Sequence, residues 1–98
     1  MRYIKKSDLE AVCAHINRIT GSPDTPYTQK DGILTANIGN YHLSGAYSGY
    51  ALHQMVNEGG ARDIFCGHFT KRDLYEKMHA FIRGFDTAKR SQIRQTQQ

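Results

Sequence analysis

Apolar residues recur at helical spacing near both ends of the chain and at strand spacing between them. Leu9, Val12, Cys13, Ile16 and Ile19 form one stripe, and Leu74, Met78, Phe81, Ile82 and Phe85 form another. Ser7-Asp8-Leu9-Glu10 has the form of a capping box, the Ser hydroxyl accepting from the Glu10 N–H while the carboxylate reaches back. Gly21 suits the left-handed position after a helix, and Ser22-Pro23 cannot easily continue one. The first helix is therefore expected over residues 8–20. Thr70-Lys71-Arg72-Asp73 opens the second in the same way, with Asp where Glu or Gln is usual.

The middle of the chain reads as a β-meander. Asp31-Gly32, Gly39-Asn40 and Ser48-Gly49 each sit between short runs rich in Ile, Leu, Tyr and Val, and Gly, Asn and Asp reach the positive φ of hairpin turns at least cost. If the last two pairs are two-residue hairpin loops, Ile38 faces Tyr41, Leu34 faces Gly45, and Tyr47 faces Tyr50. One face then carries Leu34, Ala36, Ile38, Tyr41, Leu43, Tyr47, Tyr50, Leu52 and Val56. The other carries Thr35, Asn37, His42, Ser44, His53 and Met55. A one-residue slip would mix the two sets. Residues 27–30 suit a short leading strand that Pro26 confines to an edge. Residues 50–58 fit either a strand or a short helix stopped by Gly59-Gly60; the strand is preferred because the alternation continues from the turn.

Two helices with one apolar stripe each and a sheet with one apolar face imply an α+β two-layer sandwich. Its order is helix, three-stranded antiparallel meander, helix. Val12, Ile16, Leu34, Ile38, Leu43, Leu74, Met78, Phe81 and Ile82 are its expected core. Residues 1–86 make a single domain, and 87–98 a polar, basic, disordered tail. No apolar run is long enough to span a bilayer and none resembles a secretory signal, so no membrane role and a cytoplasmic location are expected.

The net charge of +4 permits an anionic partner without demanding one. Lys71 and Arg72 fall in the first turn of the second helix, where the helix end already favours anions. Lys77 and Arg83 lie off the apolar stripe further along. Lys89, Arg90 and Arg94 add charge in the tail. His42 and His53 share the polar sheet face, which suits contact with a ligand or partner. Ser44 faces His53 in this register, but no carboxylate is placed on that face to orient a histidine, so no catalytic residue is assigned. Asn57-Glu58-Gly59-Gly60-Ala61-Arg62-Asp63 lacks any phosphate-loop spacing. Its Asn57, Glu58 and Arg62 are contact candidates, although Gly59-Gly60 could serve only a tight turn. Cys13-Ala14-His15 and Cys66-Gly67-His68 would count as a Cys₂His₂ set. Residues two apart on a helix diverge by about 200°, however, so Cys13 on the core stripe excludes His15. No metal or cofactor is assigned.

The element order and the cations opening the second helix are similar to double-stranded-RNA-binding domains, which use such cations on phosphates. Those domains carry a denser lysine cluster, and Asp73 and Glu76 dilute the field here. Residues 16–85 also resemble a family of short proteins encoded by tailed bacteriophages and prophages. The resemblance rests on Tyr27-Thr28, Ala36-Asn37-Ile38-Gly39-Asn40-Tyr41-His42-Leu43, Gly45-Ala46-Tyr47, Asn57-Glu58-Gly59-Gly60 and Lys71-Arg72-Asp73-Leu74-Tyr75. The glycine-rich loop is shorter here than in the family. The resemblance implies a non-virion accessory protein working in the host cytoplasm and supplies no catalytic residue. The sequence thus points to a small non-enzymatic accessory protein that binds nucleic acid. The alternative is a protein-binding module that inhibits or redirects a host protein.

Overall fold

The computed structural model describes residues 3–46 and 48–96, with side chains described to Ser91 except at Ala46. In chain order the elements are α1 (Lys6–Thr20), β1 (Tyr27–Lys30), β2 (Ile33–Ala36), β3 (Tyr41–Ala46), β4 (Gly49–Asn57), β5 (Gly60–Asp63) and α2 (Lys71–Thr96). Helix α1 starts slightly ahead of the expected point. The carboxylate of Asp8, rather than Glu10, reaches back to accept from the N–H of Lys5 at 2.8 Å, so Ser7 lies inside the helix. Gly21 closes it as expected, with φ 71° and ψ 23°, and the N–H of Ser22 donates to the Asn17 carbonyl at 2.8 Å.

Residues 50–57 are strand, and the fold is α+β with a three-stranded antiparallel sheet, β3-β4-β5, plus a separate β1-β2 hairpin. The membership of the sheet differs from the expected meander. Asp31 (φ 53°) and Gly32 (φ 78°) form the two-residue turn that pairs Lys30 with Ile33. β2 therefore has β1 as its partner and does not pair with β3. Gly39-Asn40 is no hairpin loop: the Gly39 N–H donates to Met55 O at 2.8 Å, and Asn40 O accepts from the Met55 N–H at 2.9 Å. Turn-forming residues here carry the chain from the hairpin onto the edge of β4.

The next hairpin is displaced too. Ala46 pairs with Gly49 and Gly45 with Tyr50, so Gly49 belongs to the strand rather than to the turn expected at Ser48-Gly49. Tyr47 itself lies outside the described residues. Each pairing moves by two positions from the expected register, an even step that keeps His42 and His53 on one face. The far end of β4 departs from the expected faces: Met55 is buried and Val56 is 40% exposed, beside an irregular pairing between Met55 and Asn57. β5 falls where only a loop was expected, and it pairs His53 with Asp63 across β4.

The helices cover one face of the sheet, α1 lying against β3 and α2, and α2 against β4. Leu9, Val12, Cys13, Ile16, Leu52, Leu74 and Met78 form the buried cluster, with Tyr41, Leu43, Tyr50, Phe81 and Ile82 half-buried around it. Leu34 and Ile38, expected in the core, are 62% and 51% exposed. They belong to the hairpin and crossing segment, which the helices do not cover. The polar segment after Phe85 keeps helical backbone to Thr96, and residues 86–91 are exposed. Among the described residues no helix is long and apolar enough to cross a membrane.

Candidate functional site

Four of the expected contact residues gather on two surfaces, Lys71 with Arg72 and His42 with His53, and the others lie apart from both. The first is at the start of α2. Phe69 and Tyr50 exchange backbone hydrogen bonds of 2.8 and 2.7 Å, which fastens the approach to α2 onto β4. Gly49 permits this, since a Cβ there would meet Phe69 O at 3.1 Å. The Thr70 hydroxyl then accepts from the Asp73 N–H at 3.2 Å, the expected cap. Lys71 and Arg72 follow, both exposed.

A cavity of about 530 Å³ opens at this helix end, lined by Lys71, Arg72, Thr70 and Ser48 and by the rings of Tyr3 and Tyr50. It brings two cations, two hydroxyls and two aromatic rings into one concave space beside the positive end of the helix dipole. Lys77 stands apart, its ammonium 4.9 Å from the centre of the Phe69 ring. Arg83 lies further along, beside Tyr75 and His79. Arg62 projects from β5 on the helix-covered side and donates to Gln54 Oε1 at 3.1 Å. Asn57 is occupied in its own turn, its Oδ1 accepting from the Gly59 N–H at 2.7 Å, and Glu58 is exposed at the tip.

The second surface is the sheet face turned away from the helices. His42, His53 and Asp63 stand abreast on β3, β4 and β5. His53 pairs with Asp63 through Nε2 and Oδ1, and the His42 and His53 rings meet edge-on, with centres 5.7 Å apart. His42 Nδ1 lies 3.1 Å from Asn40 Oδ1. Asn40 is fully buried, and its Nδ2 donates to Pro23 O at 2.8 Å. The expectation of no carboxylate on this face is thus corrected by Asp63, which β5 delivers. Ser44 faces Ala51 rather than His53. Burial, and then the neighbouring His53, hold the His42 pKa below its ordinary value.

Cys13 is buried, its thiol donates to Tyr41 O at 3.2 Å, and burial pushes its pKa up to about 11. Cys66 is exposed elsewhere. Among the described residues no group of three or more His, Cys, Asp or Glu is arranged to hold a metal ion. Asp63 and Asn40 were missed as site residues. The one signal for Asp63 was its place in a short polar run that could return along β4.

Comparison of the chain with protein-family models, with curated proteins and with solved structures finds no match.

Proposed function

We propose that the chain is a small non-enzymatic accessory protein that binds nucleic acid at the start of α2. The observation that carries the reading is the juxtaposition of Lys71 and Arg72 with the Tyr3 and Tyr50 rings around one cavity. Phosphates are attracted by paired cations at a helix N-terminus, where backbone N–H groups also point outward. Aromatic rings within the same space offer stacking surface to an unpaired base. The combination favours single-stranded or locally opened nucleic acid over a duplex read by shape alone. If the chain is phage-encoded, as the resemblance implies, such an activity would work in the host cytoplasm.

The test is a fluorescence titration with single- and double-stranded oligonucleotides at two salt concentrations. Binding that weakens with salt, and whose salt slope flattens in a Lys71→Gln/Arg72→Gln variant, supports the reading. Absence of binding by the unaltered protein at low salt removes it.

A second reading, a module that inhibits or redirects a host protein, is favoured by the β1-β2 hairpin. Ile33 and Leu34 are 67% and 62% exposed there. Lys30 and Ile33 close the hairpin as a hydrogen-bonded pair, so the Leu34 backbone groups point outward from β2. An extended segment of a partner could add to that edge.

A further inference from the structure

We propose that His42 and His53 form an open two-imidazole site for a divalent transition-metal ion on the sheet face turned away from the helices. Hydrogen bonding determines which nitrogen of each ring carries a lone pair. The Asn40 amide nitrogen is committed to Pro23 O at 2.8 Å, so its carbonyl oxygen is the atom 3.1 Å from His42 Nδ1. An amide oxygen only accepts, so His42 Nδ1 carries the hydrogen and Nε2 the lone pair. Asp63 takes the Nε2 hydrogen of His53, which leaves Nδ1 of that ring with the lone pair.

Both histidines therefore have one nitrogen held by an oxygen acceptor and the other available. This is the arrangement that orients imidazole ligands in metal sites, where a carboxylate or carbonyl behind the ring sets its tautomer and raises its basicity. The spacing also fits. With metal–nitrogen bonds of about 2.0–2.1 Å, each ring centre lies roughly 3.2 Å from the ion, so two rings on one ion have centres up to about 6.4 Å apart. The observed 5.7 Å lies within that span.

The backbone supplies the pre-organisation. His42 and His53 are directly opposed on β3 and β4, and His53 and Asp63 on β4 and β5. The Ile64 N–H donates to Leu52 O at 2.9 Å, which makes 53/63 the closer, non-hydrogen-bonded kind of pair. The His53 side chain keeps 23% of its surface exposed, so an ion can enter from solvent. Since no third His, Cys, Asp or Glu among the described residues completes a ligand group, water would fill the remaining positions. Such a site is exchangeable, and imidazole donors select Zn(II), Ni(II) or Cu(II) over Mg(II) and Ca(II).

The experiment uses the full chain without an affinity tag, titrated with Zn(II) and with Ni(II) at pH 7.5. Calorimetry gives stoichiometry, and nitrogen-correlated NMR of the histidine rings gives the site. The expected result is one ion per chain, with Zn(II) shifting the ring signals of His42 and His53 while those of His15, His68 and His79 stay in place. His42→Ala and His53→Ala should each weaken binding at least about tenfold, and Asp63→Asn by about tenfold, the scale of losing an outer-shell carboxylate. Mg(II) should produce no shift. The ring signals of the unaltered protein decide the matter even if a variant unfolds. No shift at millimolar Zn(II), or shifts at only one of the two rings, overturns the proposal. Equal affinity in a folded His42→Ala/His53→Ala variant also overturns it.

Discussion

Asn17 on α1 clamps the backbone of Tyr41 on β3 from both sides. Its Oδ1 accepts from the Tyr41 N–H at 2.8 Å, and its Nδ2 donates to the Tyr41 carbonyl at 2.9 Å. These two groups point away from β4 along the outer edge of the sheet, where a further strand would otherwise pair with them. The side chain stands in for that strand at this position, so the edge cannot pair with another molecule through Tyr41. Asn17 is itself only 3% exposed. Its replacement by Ala would leave the Tyr41 N–H without its acceptor, while the carbonyl keeps only the Cys13 thiol. Asn17→Ala should cost about 1–3 kcal/mol, from the penalty for an unsatisfied buried group. Urea denaturation of the two proteins measures it. A loss no larger than that of an exposed-site control would mean that water replaces the amide without cost.

The core can be tested by contrasting two leucines. Leu52 is 1% exposed within the buried cluster, whereas Leu34 is 62% exposed on the hairpin. Leu52→Ala should lose about 2–5 kcal/mol through transfer and cavity terms. Leu34→Ala should stay within about 0.5 kcal/mol of the parent. Similar losses at both positions would show that the hairpin is packed in solution.

Why one leucine was legible and the other was not follows from what each local signal can specify. Leu9, Val12, Cys13 and Ile16 lie on a helical stripe whose partner is decided by periodicity alone, and they are buried. Asp31-Gly32 was readable because two positive-φ residues between strand-formers have one common use, and both have positive φ here. Gly39-Asn40 carries the same signal but serves a crossing between two sheets, a choice made by tertiary contacts with Met55 and Pro23. Leu34 and Ile38 were placed on the core face through that one misread turn. His42 and His53 were correctly placed together because their displaced register moved by an even step. Asp63 was not, since Gly60-Ala61-Arg62-Asp63 has no apolar alternation to mark a strand. Asn17 left a fainter trace: it lies four residues after Cys13, beside the apolar stripe of α1, where a polar residue needs a partner.

The two thiols should differ sharply in reactivity. Cys13 is buried with its pKa near 11, raised by burial and then by the Glu10 charge, so little thiolate exists at neutral pH. Cys66 is exposed. A colorimetric disulfide reagent should modify one thiol per chain quickly under native conditions and a second only with denaturant. Two equally fast thiols would mean that α1 opens readily from β3.

Acid should weaken the fold through His42. Its pKa is lowered in the folded protein, by burial first and by the His53 charge second. The unfolded chain therefore takes up this proton more readily than the folded one. The stabilising contribution is fully present above the unfolded value of about 6.5 and is lost as pH falls below it, towards the lowered folded value. Stability measured by urea denaturation from pH 7.5 to pH 5 should decline, and His42→Gln should reduce that decline. An unchanged slope in the variant would assign the acid sensitivity to other groups.

Gly49 links the sheet to the proposed nucleic-acid cleft, so one substitution should disturb both. A Cβ at this position would meet Phe69 O at 3.1 Å and His68 Cβ at 3.3 Å. The first of these is backbone, which cannot swing aside as a side chain does. Gly49→Ala must therefore push the approach to α2 away from β4 and strain the paired hydrogen bonds between Tyr50 and Phe69. Overpacking of this kind costs about 1–3 kcal/mol. Because Phe69 directly precedes the Thr70 cap, the same displacement shifts Lys71 and Arg72 relative to Tyr50. Oligonucleotide affinity at low salt should then fall in Gly49→Ala while both cations are still present. Unchanged affinity in a folded variant would separate binding from the shape of this cleft and leave only the charge of Lys71 and Arg72 to account for it.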